Sequence, residues 1–221
     1  MLEWSQIAVR GPQSEQFLQG QLSQDLTRLD PSGSWSLLLQ PDSVVVTSCF
    51  VVREADGFTL TLARDLGESA LSRLRRFHLR VDCTLTLTDV EGGPFETALE
   101  MISAGWPGSA EFAAGLTPQS FGASFVGKTV SFAKGCFTGQ ELVGRLDARG
   151  SSVPWRLVRA EGPSVARIDE VLHSKGPDGP QGVTTAASTG DAIAALGIAH
   201  RSLLDPAYLA AYPDVTIEAI P

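Results

Sequence analysis

Lys134-Gly135-Cys136-Phe137-Thr138-Gly139-Gln140-Glu141 is where residue types and spacing in this sequence point most clearly to chemistry. Thr138 followed three positions later by Glu141 is a capping-box pattern, so a helix is expected to begin at about Thr138. Leu142, Leu146 and Val143 would form its buried stripe, and Glu141 and Arg145 stand one turn apart, where they can pair. Cys136 would then lie just ahead of a helix N-terminus, where the dipole favours negative charge, with the Lys134 ammonium two residues away. Both effects lower a thiol's pKa and raise its thiolate fraction. Gly135 and Gly139 remove side chains on either side, leaving room for the backbone to approach an anion or an electron-rich heterocycle. On these grounds alone two readings stay open: a reactive thiol beside a ligand, or a small apolar residue in a turn shaped by glycines.

The elements that must position this segment can be read from periodicity. Residues 6–10 read as a strand, ended by Gly11-Pro12, and Pro12 can open a helix carrying Phe17, Leu18, Leu22 and Leu26. Strands are expected at residues 35–39 and 44–53 around the turn Gln40-Pro41-Asp42-Ser43, and again at 58–63. Leu66, Ala70, Leu71, Leu74 and Phe77 mark one apolar helix face, and Cys83, Leu85 and Leu87 alternate with polar residues as in a strand. Glu91-Gly92-Gly93-Pro94 is a break, residues 95–103 a candidate helix and 129–132 a candidate short strand. The order strand, helix, three strands, helix, strand predicts an α+β fold with helices on one face of an antiparallel sheet. After Gly150 short strands are expected at 153–160, 170–173, 182–186, 194–199 and 215–220, separated by Gly, Pro and Asp, which suggests a small C-terminal antiparallel β-barrel. The expected division is residues 1–150 and 151–221.

Composition narrows the function classes. A net charge of -8 opposes phosphate backbones, so nucleic acid is not an expected partner. No apolar run approaches the length of a membrane span, and the amino terminus lacks the basic-then-apolar order of a secretory signal. Cys49, Cys83 and Cys136 are odd in number and widely spaced, which suits free thiols in a reducing, cytoplasmic setting. His78, His173 and His200 show no metal-ligand spacing, and no metal is expected. Arg73, Arg75, Arg76, His78 and Arg80 form a basic cluster, readable as a solvated helix face or as a landing site for an acidic partner or a polyglutamate tail. Trp106 and Trp155 are candidates either for stacking on a pterin or for core packing.

The run K-G-C-F-T-G-Q-E resembles the signature K-G-C-[FY]-x-G-Q-E of the YgfZ family, and the match continues through Leu142-Val143 to Arg145 and Arg149-Gly150. Val9-Arg10-Gly11 with Phe17 to Asp25 resembles that family's amino-terminal segment. Ile102 to Pro107 resembles its central R-I-x-x-G-x-P element, without the arginine. The family is similar to the folate-binding part of the glycine cleavage T protein and is associated with tetrahydrofolate binding and with maintaining iron–sulfur enzymes. The resemblance implies a multi-lobed body around a folate cavity, plus the C-terminal barrel. It implies a tetrahydrofolate-binding accessory protein supporting iron–sulfur cluster assembly or repair, with iron–sulfur proteins as partners. Cys136 and Lys134 would be its reactive pair, and Gln19, Gln21, Gly135, Gln140, Glu141 and Arg145 would lie at the ligand.

Two departures shape the alternatives. Thr47 and Ser48 stand at the positions matching the T protein's acidic pair, and neither hydroxyl supplies a carboxylate's charge to an iminium-like centre. A folate-dependent aminomethyltransferase is therefore the weaker alternative. The link at residues 89–95 is shorter than the family's middle lobe, which also leaves room for a non-catalytic interaction module that has lost its folate site.

Overall fold

The computed structural model describes residues 1–148 and 153–221. It contains two antiparallel sheets, stacked with helical layers. The first sheet is built from β1 (Trp4–Arg10), β2 (Ser34–Leu39), β3 (Val45–Glu54), β4 (Gly57–Ala63) and β5 (Thr84–Val90), in the spatial order β2-β3-β4-β1-β5. Helices α1 (Ser14–Gln21) and α2 (Gly67–Arg75) cover one face. There Ile7, Val9, Phe17, Leu18, Leu38, Leu60 and Leu74 form one core cluster. Leu37 and Leu39 point to the opposite face and join a second cluster. This is the period-2 alternation of a strand buried on both sides, which is why β2 reads as an unbroken apolar run.

The second cluster lies in the middle of the molecule. It packs against α3 (Ala98–Ala104), α4 (Ser109–Phe112), α5 (Ala123–Thr129) and α6 (Gln140–Ala148). It also includes Leu157, Leu196 and Ile198 from the second sheet. That sheet comprises β6 (Trp155–Gly162), β7 (Gly182–Ser188), β8 (Ile193–His200) and β9 (Thr216–Ala219), in the order β7-β8-β6-β9. Its far face, with Val158, Ala160, Ala195 and Ala199, packs on α7 (Val165–His173). A short helix, α8 (Pro206–Leu209), precedes β9.

The α+β class and the helices on one face of the first sheet agree with the sequence expectation. Three local expectations do not hold. Residues 170–173 are the last turns of α7 rather than a strand: Ser164 caps the helix by accepting from the Arg167 N–H, and Ile168, Val171 and Leu172 recur at helical spacing on the sheet. Residues 129–132 form no strand. Thr129 ends α5 with its hydroxyl bonded to the Phe125 carbonyl at 2.7 Å, and the Ser131 N–H donates to the Ser23 carbonyl at 3.0 Å as a single link rather than a ladder among the described residues. Four strands of the expected barrel are present, and among the described residues they pair as an open row, without a β7–β9 pairing. The expected boundary at Gly150, and Arg149-Gly150 of the resembling segment, lie outside the described residues. Among those described, no helix is long and apolar enough to cross a membrane.

Candidate functional site

The segment from Lys134 to Glu141 is clamped between the end of α1 and the β2–β3 turn. An α-helix leaves its last carbonyls without partners, and here Lys134 supplies them. Its Nζ donates to the carbonyls of Gln19 at 2.7 Å, Leu22 at 2.6 Å and Gln24 at 3.0 Å. The side chain is buried, and its ammonium lies 5.2 Å from the Phe137 ring centre. Burial pushes its pKa from 10.5 down to about 8, with Asp25 pulling the other way. All three protons of the ammonium are thus directed at backbone oxygens, and among the described residues none is shared with Cys136. Lys134 fastens the loop.

Other members of the segment are fastened in the same way. The Thr138 N–H and hydroxyl both donate to the Gly20 carbonyl, at 3.1 and 3.5 Å, so the hydroxyl turns to α1 rather than capping a helix as its spacing with Glu141 predicts. Gly139 follows at φ 83°, a left-handed conformation that delays the helix to Gln140. A Cβ on Gly139 would sit 2.6 Å from the Gln40 carbonyl, and the Ser43 hydroxyl donates to the Gly139 carbonyl at 2.5 Å. The close approach that Gly139 permits is therefore to its own chain. Gly135 has open space where its Cβ would be. Gln140 turns its side chain back to accept from the Phe137 N–H at 3.1 Å, closing the turn that presents Cys136. Glu141 pairs with Arg145 on the exposed face of α6, as their spacing predicts.

Cys136 is exposed, whereas Cys49 and Cys83 are buried. Cys136 borders an open hollow of about 530 Å³ with Pro41, Phe137, Gly139, Gln140, Glu141 and Gly144. The structure thus brings Cys136, Gln140 and Glu141 together. It does not bring Gln19 or Gln21 to them. The Gln19 amide bridges the Leu26 N–H and the Asp25 carboxylate, each at 2.9 Å, and bracing that turn occupies it. Gln21 accepts from Arg73 beneath the sheet's edge.

A second concavity lies at the seam between the two sheets. Thr47 and Ser48, at the positions where an acidic pair was sought, are buried there. The Thr47 hydroxyl donates to the Ser48 carbonyl at 2.9 Å, and the Ser48 hydroxyl accepts from the Trp106 indole at 3.3 Å. Trp106 stacks obliquely on Trp35, with ring centres 4.3 Å apart, and Phe95 packs 6.0 Å from Trp35. These rings leave an inner cavity of only about 20 Å³. The short 91–97 link delivers Phe95 to this cluster. It lies flat on Trp4 because Gly93 has no Cβ, which would otherwise stand 2.3 Å from the indole. Trp4 then donates to the Phe95 carbonyl at 3.0 Å.

Outside these rings opens a cleft of about 340 Å³, walled by Trp4, Met101 and Ala110 and rimmed by Glu3, Arg64 and Thr185. It shares Trp4, Ala63, Met101 and Gly108 with the inner cavity. Fully buried Glu111 holds its floor in place. One of its oxygens accepts from the Gly108 N–H and the other from the Thr185 hydroxyl, both at 2.7 Å, tying α4 to β7. Sequence reasoning singled out Trp106 here but not Trp4, Trp35, Met101 or Glu111. Their positions are far apart in the chain, and no local spacing links them. Trp155 lies elsewhere, edge-on to His200 at 5.2 Å.

No protein-family model matches the sequence, and no curated protein sequence matches it. Among solved structures, the chain is similar to the crystal structure of glycine cleavage system aminomethyltransferase T from Bartonella henselae. The TM-score is 0.59 at 16% sequence identity, over 90% of this chain and 76% of that one. The likeness establishes a shared fold.

Proposed function

We propose that this chain is a reduced-folate-binding accessory protein built on the T-protein fold, and that it is not an aminomethyltransferase. The observation that carries the reading is a cleft of ligand size whose inner end is nearly filled by aromatic rings and lined by no carboxylate. About 20 Å³ admits a single water at most, so a pterin has no place beside Thr47 and Ser48. The outer cleft, at about 340 Å³, falls within the range of small-molecule sites. Trp4 and Met101 offer apolar walls for a flat heterocycle, and Glu3, Arg64 and Asp65 offer polar groups at the rim. Neither buried hydroxyl supplies the negative charge that aminomethyl transfer requires.

The second half of the proposal, support of iron–sulfur cluster assembly or repair, rests on the resemblance of residues 134–141 to the YgfZ signature. The exposed Cys136 thiol would be its working group and Lys134 the anchor that holds the loop. Titration calorimetry with tetrahydrofolate tests the ligand. Saturable binding that is lost in Ala110→Trp, which fills the cleft, supports the reading, and no binding at about millimolar ligand sinks it. A Cys136→Ala variant that fully restores iron–sulfur enzyme activity in a strain lacking the protein would remove the thiol's role.

The aromatic filling of the inner cavity favours one further reading, a non-catalytic interaction module of the same fold that has given up its folate site. Absence of folate binding, together with retention of the iron–sulfur phenotype, would select it.

A further inference from the structure

Arg73 is buried to 2% exposure on the inner side of α2, with its guanidinium 4.3 Å from the Phe77 ring centre. Its Nε donates to the Leu39 carbonyl at 3.1 Å and its Nη1 to the Gln21 side-chain oxygen at 3.2 Å. Its Nη2 is buried without a hydrogen-bond partner. Among the described residues no carboxylate pairs with this cation, so it stands as an uncompensated buried charge.

Gln21 connects Arg73 to a cavity of about 330 Å³ between α1 and the loop ahead of β5. Gln13, Gln16, Gly20 and Gln21 line one wall at helical spacing, Phe17 adds an apolar patch, and Arg80 and Val81 close the far side. The amide oxygens of this wall are largely taken. Gln21 spends its oxygen on Arg73, and Gln13 spends its own on the Asp82 N–H at 2.6 Å. What these two amides have left to present is N–H groups. A buried guanidinium pulling on the Gln21 oxygen polarises that amide and strengthens its N–H donors. Arg80 is exposed at φ 59° and adds a second cation at the mouth. None of the lining residues is acidic, in a chain whose net charge is -8. The carboxylates adjacent to them in sequence are Glu15, which is paired with Arg53 at 2.6 Å, and the exposed Asp82.

We propose that this cavity binds a small oxyanion, a phosphate or carboxylate group, held by the Gln13 and Gln21 amides and by Arg80, with Arg73 as the positioning charge behind Gln21. The site shares no residue with the Met101 cleft or the Cys136 hollow, and the proposal stands independently of the folate reading.

The test uses the full chain and inorganic phosphate as probe, followed by calorimetry and amide chemical shifts at low ionic strength. Saturable binding is expected, with shifts confined to α1 and residues 78–83. Arg80→Asn keeps a residue that tolerates the left-handed conformation while removing the cation, and should weaken binding about tenfold. Gln21→Leu should weaken it as well, and Arg75→Gln, exposed at the end of α2, should leave it unchanged. Acetate competing for the site would show that a carboxylate suffices, and its failure to compete would restrict the ligand to phosphate. The proposal is overturned if phosphate does not saturate by about 20 mM, or if Arg80→Asn binds as tightly as the unaltered protein. Should Gln21→Leu fail to fold, Arg80→Asn alone decides.

Discussion

At the scale of single residues, the two side chains expected to act as a pair are held in opposite environments. Cys136 is in solvent and Lys134 is sealed beneath α1. The lysine's work is to close the Gln19 and Leu22 carbonyls at the end of α1 and the Gln24 carbonyl of the turn beyond it, so Lys134→Met, which keeps the stem and removes the donors, should cost about 2–4 kcal/mol in urea unfolding. Its titration adds a pH signature. Burial lowers the folded-state pKa from 10.5 to about 8, so between those values the unfolded chain holds a proton that the folded chain has released. Stability should therefore rise with pH across that window, and the rise should vanish in Lys134→Met. A flat profile in the unaltered protein would show that the carbonyl bonds hold the proton against desolvation. The cysteines divide just as sharply. Burial pushes the Cys49 thiol up to about 12 and also raises Cys83. A disulfide reagent at pH 8 should label one thiol rapidly in the folded protein and three after unfolding, with the rapid phase absent from Cys136→Ala.

At the scale of elements, the two glycines of the segment differ in what they do. Gly139→Ala would force a side chain at φ 83° to within 2.6 Å of the Gln40 carbonyl, and should lower stability by about 2 kcal/mol or more while disturbing the Cys136 hollow. Gly135→Ala has open space and should change stability by less than about 0.5 kcal/mol. Thermal unfolding of the two variants distinguishes a turn shaped for the chain from one shaped for a ligand. The same segment shows how far local pattern carries. The strands and helices of the first sheet were legible because each presents its own apolar face, as Leu37 and Leu39 do against Leu38. The Glu141–Arg145 pair was legible for the same local reason. The capping box at Thr138 was not realised, because a long-range bond to Gly20 and a left-handed glycine outweigh a propensity worth about 1 kcal/mol. The partners of Lys134 lie 110 to 115 positions away in the chain, and the rings that fill the inner cavity come from four separate segments, so neither arrangement leaves a spacing to read.

At the scale of the whole molecule, the question is whether a division near residue 150 separates two folding units or only two stretches of chain. The central cluster argues for one unit. It mixes Leu37 and Val45 of the first sheet with Leu157, Leu196 and Ile198 of the second, and with Ile220 at the very end. Polar ties cross the same seam. Arg159 on β6 donates from Nε to the Ile102 carbonyl at 3.0 Å and from Nη2 to the Ser103 carbonyl at 2.7 Å, closing the C-terminal end of α3. The Ser124 N–H donates to the Pro221 carbonyl at 2.8 Å, and Gly122 lacks the Cβ that would collide with it at 2.6 Å. Each sheet has its own far-face cluster, but the middle layer belongs to both, and its exposure would strip apolar cover from each. Urea unfolding followed by tryptophan fluorescence, which reports on Trp4 and Trp35 of the first sheet, Trp106 of the middle layer and Trp155 of the second sheet, and by far-ultraviolet circular dichroism should therefore give coincident transitions. Ile220→Ala, distant in sequence from the first sheet, should shift both curves together by about 2–3 kcal/mol. Two separated transitions, or a shift confined to one probe, would show instead that the seam is a docking surface between independent halves.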